Sequence, residues 1–162
     1  MNAGMFHPDF KPVGLLVIGG KEISPINRSQ GSGNFFLQPN GVFLIDEGPR
    51  VIATDEYRDL APSFATQSGP MLLHRGQVPA IAAFRSTSRH LRNGVCVPEG
   101  TIVAFVISED EVTFREFADY FTSVLKCTEA LYLDGSISSL YAPQLKRADA
   151  RSDLGPMFGV AE

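Results

Sequence analysis

Along most of this chain the apolar residues fall in short unbroken runs bounded by glycine, proline and asparagine, the pattern of strands buried on both faces. Val13 to Ile18 is such a run. It stops at Gly19-Gly20, and Glu22-Ile23 is expected to return from that turn as a hairpin. Asn34 to Gln38 and Val42 to Asp46 flank Pro39-Asn40-Gly41, whose Asn-Gly pair predicts a second hairpin. Val51 to Ala53 and Ala65 to Gln67 read as further short strands, the latter leading into Ser68-Gly69-Pro70. Two more hairpins are expected. One pairs Met71 to His74 with Gln77 to Ile81 across Arg75-Gly76, the other Gly94 to Val97 with Thr101 to Ser108 across Pro98-Glu99-Gly100. The tail is polar from Ala142 until Leu154 to Val160, which reads as a short closing strand.

The period changes once. Phe114, Phe117, Ala118, Phe121, Val124 and Leu125 recur at three- and four-residue spacing, and Thr113 with Glu116 forms a capping box, so a helix is predicted over 113–126. A strand, a helix and a strand make a crossover, which predicts Thr101–Ser108 and Ala130–Leu133 as parallel neighbours. Their carboxyl ends would then bring Glu109 and Asp134 to one rim. The fold class is therefore α+β or mixed α/β: a strand-rich mixed sheet with several hairpins and one main amphipathic helix in a crossover.

A chain of 162 residues suffices for one domain, 1–162, with its own core. The net charge of −4 is spread without a basic stripe, which argues against a nucleic-acid partner. The longest apolar runs, such as Ile102 to Ile107, are too short to span a bilayer. The N-terminus lacks the basic and apolar regions of an export signal, and it reads as the end of a strand turning into a loop, so earlier strands are expected to have been lost. The two cysteines, Cys96 and Cys127, are read as small core thiols, with a single disulfide as the alternative.

Four polar clusters interrupt the apolar framework. Ala130 to Leu133 runs into Asp134-Gly135-Ser136-Ile137-Ser138-Ser139, which puts a carboxylate, a flexible backbone and hydroxyls at a strand end, as phosphate or sugar binding requires. Ser86-Thr87-Ser88-Arg89 sets hydroxyls beside a guanidinium that suits a phosphate clamp. Asn2-Ala3-Gly4 suits a turn whose amide donates to a ligand. Ala65-Thr66-Gln67-Ser68-Gly69-Pro70 holds a serine, but only Gly69 fits a nucleophile elbow, and none of His7, His74 and His90 carries a local base motif. No His-x-His or Asp-rich cluster is present, so neither metal nor cofactor is expected.

Asn2-Ala3-Gly4-x-Phe6, Gln67-Ser68-Gly69-Pro70, Ser88-Arg89 with Gly94, and Leu133-Asp134-Gly135-Ser136-x-Ser138 occur in an order that resembles the phosphodiester glycosidase domain family, which includes the mannose 6-phosphate uncovering enzyme and many bacterial proteins. The resemblance runs from Asn2 to Val160. It implies a mixed α/β domain with one surface cavity and hydrolysis of a sugar joined through its anomeric carbon to a phosphodiester. Carried over by position, Asp134, Arg89 and Asn2 would line the pocket, while Gly69, Gly94 and Gly135 would let backbone approach the ligand. The family's fuller Asp-Gly-Gly-Gly-Ser departs here to Ser136-Ile137 in place of the last two glycines.

On this reading Asp134, Arg89 and Glu109 are the candidate catalytic residues. Asn2, Gly4, Gln67, Ser68, Gly69, Ser86, Ser88, Asn93, Gly94, Gly135, Ser136 and Ser138 are the candidate substrate-binding ones. The rival from another class is a non-catalytic module that grips cell-envelope glycans or phospho-sugars. A metal-dependent phosphodiesterase is the weaker third option.

Overall fold

The structure is a computed structural model that describes residues 1–80, 87–150 and 152–160. Its larger sheet has five strands in the order β2-β1-β5-β3-β4, formed by Leu16–Ile18 (β1), Lys21–Ser24 (β2), Gly41–Ile45 (β3), Pro49–Ala53 (β4) and Phe64–Ser68 (β5). The second has four, β6-β9-β7-β8, from Met71–Leu73 (β6), Asn93–Cys96 (β7), Ala104–Ile107 (β8) and Ala130–Tyr132 (β9). Tyr141–Ala142 (β10) and Arg147–Ala148 (β11) make a short ribbon. The strand-rich α+β class holds, but the expected mixed sheet resolves into antiparallel pairings throughout.

The layers follow from the alternation of side chains along each strand. Val42 and Leu44 of β3 join Leu15, Val17 and Ala65 on the outer face of the larger sheet. Phe43 points the other way and meets Val51, Met71, Val95, Leu131 and Leu133 between the sheets. Ala130 and Tyr132 alternate with Leu131 and face the helix α1 (Phe114–Ser123). Because both faces of β3, β6 and β9 are covered, these strands read as continuous apolar runs.

Helix α1 starts where the capping box predicts. Thr113 Oγ1 accepts from the Glu116 amide at 3.1 Å, and Glu116 accepts from the Thr113 amide at 2.8 Å. Phe114, Phe117, Ala118 and Phe121 are buried against the smaller sheet. Each buried phenylalanine contributes roughly 1.5–3 kcal/mol by leaving water. The stripe ends sooner than the spacing predicts: Val124 is 58% exposed, and Lys126 turns the chain with a φ of 58°.

Three expectations are corrected. The chain reaching β3 is not a hairpin strand: Asn34–Phe36 is a 3-10 turn, closed by Asn40 Nδ2 donating to the Phe35 carbonyl at 3.0 Å, and β3 pairs forward with β4 instead. Strands β8 and β9 run in the same direction but are not neighbours, because β7 lies between them and pairs antiparallel with both. The cysteines are not free thiols. The pairing of Cys96 with Ala130 carries β7 alongside the segment before β9, and Cys96 and Cys127, 6.4 Å apart at Cα, form a disulfide.

The hairpins at Gly19-Gly20 and at Pro98-Glu99-Gly100 form as expected. The turn at Arg75-Gly76 is bracketed by a His74–Gln77 bridge, but Val78 to Ala80 form no strand, and Ile81, the last residue of the expected partner strand, lies outside the described residues. The tail does not extend a sheet. Met157 bridges to Asn2, and Phe158 packs on Phe43 and Phe105 at ring separations of 5.5 and 4.6 Å.

Candidate functional site

Strand β9 leaves the sheet at Leu133-Asp134 and turns at once into a 3-10 segment, Gly135–Ile137. That turn is held from below by a network of buried amides and hydroxyls. Asn2 Oδ1 accepts from Asn93 Nδ2 at 2.9 Å and from the Ser139 amide at 3.0 Å, while Asn2 Nδ2 donates to the Asp134 carbonyl. Ser138 Oγ donates to the Gly135 carbonyl at 2.8 Å and lies 3.4 Å from Asn93 Oδ1. The backbone closes the same circle, with Asp134 N donating to the Ala3 carbonyl and Leu133 N to that of Asn93. Asn2, Asn93, Ser138 and Ser139 are all buried. Buried amides without partners would each cost roughly 1–3 kcal/mol, so this network fixes the turn rather than waiting for ligand.

The Asp134 side chain stands half-buried above this base. Burial raises its carboxyl pKa, and the Ser136 hydroxyl, donating to Oδ1 at 3.2 Å, opposes that rise in part. A carboxyl shifted upward at a strand end can hold or release a proton nearer neutrality than a surface aspartate. Ser136 itself is exposed.

The structure thus brings together Asn2, Asn93, Asp134, Gly135, Ser136 and Ser138. Other predicted residues have different positions. The Arg89 guanidinium pairs with Glu116 at 3.1 Å on the first turn of α1, and both side chains are half-exposed. Among the described residues no hydrogen bond or ion pair joins Arg89 to Asp134. Glu109 is 82% exposed and bonded to Arg147 at 2.6 Å, with Arg147 held in turn by Asp149. Ser88 offers its carbonyl to Arg92 Nη2 at 3.0 Å, and Ser86 lies outside the described residues.

Gln67 is bound to the protein at both ends of its amide. Oε1 accepts from the Leu15 and Asn27 amides at 3.1 and 2.9 Å, and Nε2 donates to the Asn27 carbonyl and to Thr54 Oγ1 at 2.7 and 3.2 Å. Its neighbour Ser68 is fully buried, and its Oγ has no partner among the described residues. The glycines make room for the protein itself. A Cβ on Gly69 would stand 2.7 Å from the Phe35 carbonyl oxygen, one on Gly94 2.8 Å from that of Leu131, and one on Gly4 would meet the Gln67 carbonyl.

Two residues that the motifs do not single out as site residues sit beside the turn. Arg92 is buried with its guanidinium 3.8 Å over the Phe114 ring, and Nη1 donates to the Tyr132 hydroxyl at 3.3 Å. That hydroxyl lies under Gly135, where any Cβ would collide with it. Strand alternation was the available signal. Gly94 and Cys96 lie on the face of β7 that packs on the helix, and the same alternation carried back to Arg92, just before the strand, puts its side chain against Phe114.

Two cavities lie away from the turn. One, of about 760 Å³, is lined by Asp46, Arg50, Asp59 and Ser63 among others. The other, of about 590 Å³, is an apolar groove between Ile18, Phe43, Phe64, Phe105 and Phe158 that touches Ala3. Among the described residues no three His, Cys, Asp or Glu side chains stand together as a metal site, and no helix is long and apolar enough to cross a membrane.

Residues 1–159 match the family model for phosphodiester glycosidase. The chain is 33% identical over 143 residues to the uncharacterized protein YigE of Escherichia coli K12, covering 87% of this chain and 56% of that protein. Its fold is similar to the catalytic domain of zebrafish N-acetylglucosamine-1-phosphodiester alpha-N-acetylglucosaminidase, a structure described as auto-inhibited by its pro-peptide. The TM-score is 0.55 at 17% identity, over 85% of this chain and 50% of the zebrafish one. The chain therefore spans about half the length of these relatives. On the extent of the family match and the identity to YigE, this chain belongs to the phosphodiester glycosidase family.

Proposed function

We propose that the protein hydrolyses the glycosidic bond between a sugar and a phosphodiester, with Asp134 as the acid–base or charge-stabilising carboxylate. The observation that carries this reading is the half-buried Asp134 carboxyl, raised in pKa by burial, on a turn braced by Asn2, Asn93 and Ser138. Packing alone gives no reason to hold an acid there. Phosphate leaves readily, so the bond from the anomeric carbon to the phosphate oxygen breaks with its electron pair going to phosphate. Water then adds its hydroxyl to the anomeric carbon, and its remaining proton is taken up by Asp134 or solvent.

Arg89, beside Ser88 at the start of α1, is assigned to the phosphate, for which a guanidinium is the natural partner. To bind it, Arg89 exchanges its exposed Glu116 partner for the anion, a small cost for a surface pair. Glu109 is the second carboxylate in this scheme and would have to leave Arg147. A separation of about 5 Å between the two carboxyl groups would give retention, and roughly 6.5–9.5 Å inversion. The first sugar to try is the α-N-acetylglucosamine named for the zebrafish relative.

The engagement of Glu109 by Arg147 favours one rival, a binding module that grips a phospho-sugar with a single acid. Hydrolysis in ¹⁸O-labelled water separates the readings. Label in the released sugar supports cleavage at the anomeric carbon. Label in the phosphate means a phosphodiesterase, and tight binding without release means a binding module.

A further inference from the structure

The scheme above leaves the most deeply buried cation of the site without a task. Arg92 is 1% exposed, and among the described residues no carboxylate pairs with it. Its partners are neutral: Nε donates to the Val112 carbonyl at 2.8 Å, Nη2 to Ser88 and Nη1 to Tyr132, and the guanidinium lies on the Phe114 ring. Carbonyl oxygens and a ring face offset part of the several kcal/mol that burying a guanidinium costs, but they supply no counter-charge.

Only one of those contacts leads outward. Arginine can only donate, so the Tyr132 oxygen is the acceptor, and the hydroxyl hydrogen is left for another side. The oxygen fills the space a Gly135 side chain would need, while the Gly135 N–H itself donates to the Leu133 carbonyl at 2.9 Å. Tyr132 ends β9 and Asp134 follows two residues on, close enough for its charge to act on the phenol. Burial and then the nearby Asp134 carboxyl raise the phenol pKa against the pull of Arg92, so the hydroxyl stays protonated.

We infer that Arg92 and Tyr132 are positioning residues for Asp134: the buried guanidinium orients the Tyr132 hydroxyl, and the hydroxyl sets the height of the Asp134–Ser136 turn. The inference rests on the glycosidase reading for its consequence in turnover, but not for its structural content. Tyr132→Phe removes one oxygen and keeps the ring packed on Phe114, at 4.6 Å between centroids. The variant is expected to melt cooperatively, with amide exchange at Gly135 and Ser136 accelerated about tenfold while the rest of β9 is unchanged. On a sugar phosphodiester, kcat should fall about tenfold with KM within about twofold. Arg92→Met should reproduce the local exchange effect, and Arg92→Lys should restore part of the loss.

Unchanged exchange at Gly135 and Ser136 in folded Tyr132→Phe would overturn the inference, as would acceleration spread evenly over the whole chain. If exchange rises locally but the unmodified protein cleaves no sugar phosphodiester, the positioning role stands and the glycosidase reading falls.

Discussion

The side-chain amide of Asn2 donates to the backbone carbonyl of Asp134, a contact between residues 132 apart in sequence. It joins the start of the chain to the strand end that carries the candidate acid. The same side chain accepts from Asn93 and Ser139, so one residue ties three segments together. Asn2→Ala leaves the Ser139 amide and the Asp134 carbonyl without this partner and removes one of the two acceptors of Asn93 Nδ2. The expected loss is roughly 2–4 kcal/mol of unfolding free energy, read from the denaturation midpoint. Turnover should fall further than stability, because the Asp134 carbonyl loses its anchor.

Asp134 makes a prediction about pH with a definite sign. Its carboxyl pKa is raised in the folded protein, by burial first. A raised acid contributes stability that is fully present below the unfolded pKa and is lost as pH rises through the folded one. Asp134→Asn removes that ionisation, so the variant should match the parent in strongly acidic buffer and exceed it in stability above the folded pKa. Thermal melts across pH 3–8 check this. A variant less stable than the parent at neutral pH would contradict the assigned cause.

The motif Gln67-Ser68-Gly69-Pro70 suggests a ligand contact at Gln67, whereas its environment gives it a structural task. Its four side-chain hydrogen bonds among the described residues go to the protein, on the outer side of the larger sheet. Gln67→Leu is expected to cost about 2–4 kcal/mol in stability while leaving KM of the folded fraction unchanged. A rise in KM without a loss of stability would return Gln67 to the binding residues.

The Cys96–Cys127 disulfide closes a 31-residue span that includes α1. Replacing both cysteines by serine should lower stability by about 2–4 kcal/mol. Both residues are buried, so reductant should act on the folded protein only as fast as it opens. Mass measurement after alkylation, with and without prior unfolding in reductant, reads this directly.

How much of this was legible in the sequence depends on the range of the interaction. The capping box of Thr113 and Glu116, the glycine turn at Gly19-Gly20 and the acid after β9 are local, and each was visible in a few consecutive residues. The insertion of β7 between β8 and β9 is not local. A crossover fixes strand direction but leaves open whether a third strand slips in between. Arg92 was hidden for a related reason. A basic residue before Asn93-Gly94 reads as a loop cation until strand alternation is followed back from Cys96, which places it against Phe114. The Asn34–Gln38 segment misled because the Asn40-Gly41 pair that follows it is the start of β3 itself, and Asn40 gives its amide to Phe35 instead of a hairpin turn.

The central claim is that Asp134 does chemistry rather than merely capping a turn. The direct test compares the parent and Asp134→Asn on an α-N-acetylglucosamine 1-phosphodiester, measuring free sugar and, by calorimetry, binding. The account predicts sugar release by the parent and release reduced at least about a thousandfold in the variant, which still folds and still binds. Parent-like release by folded Asp134→Asn, or binding without release by the parent, would contradict it.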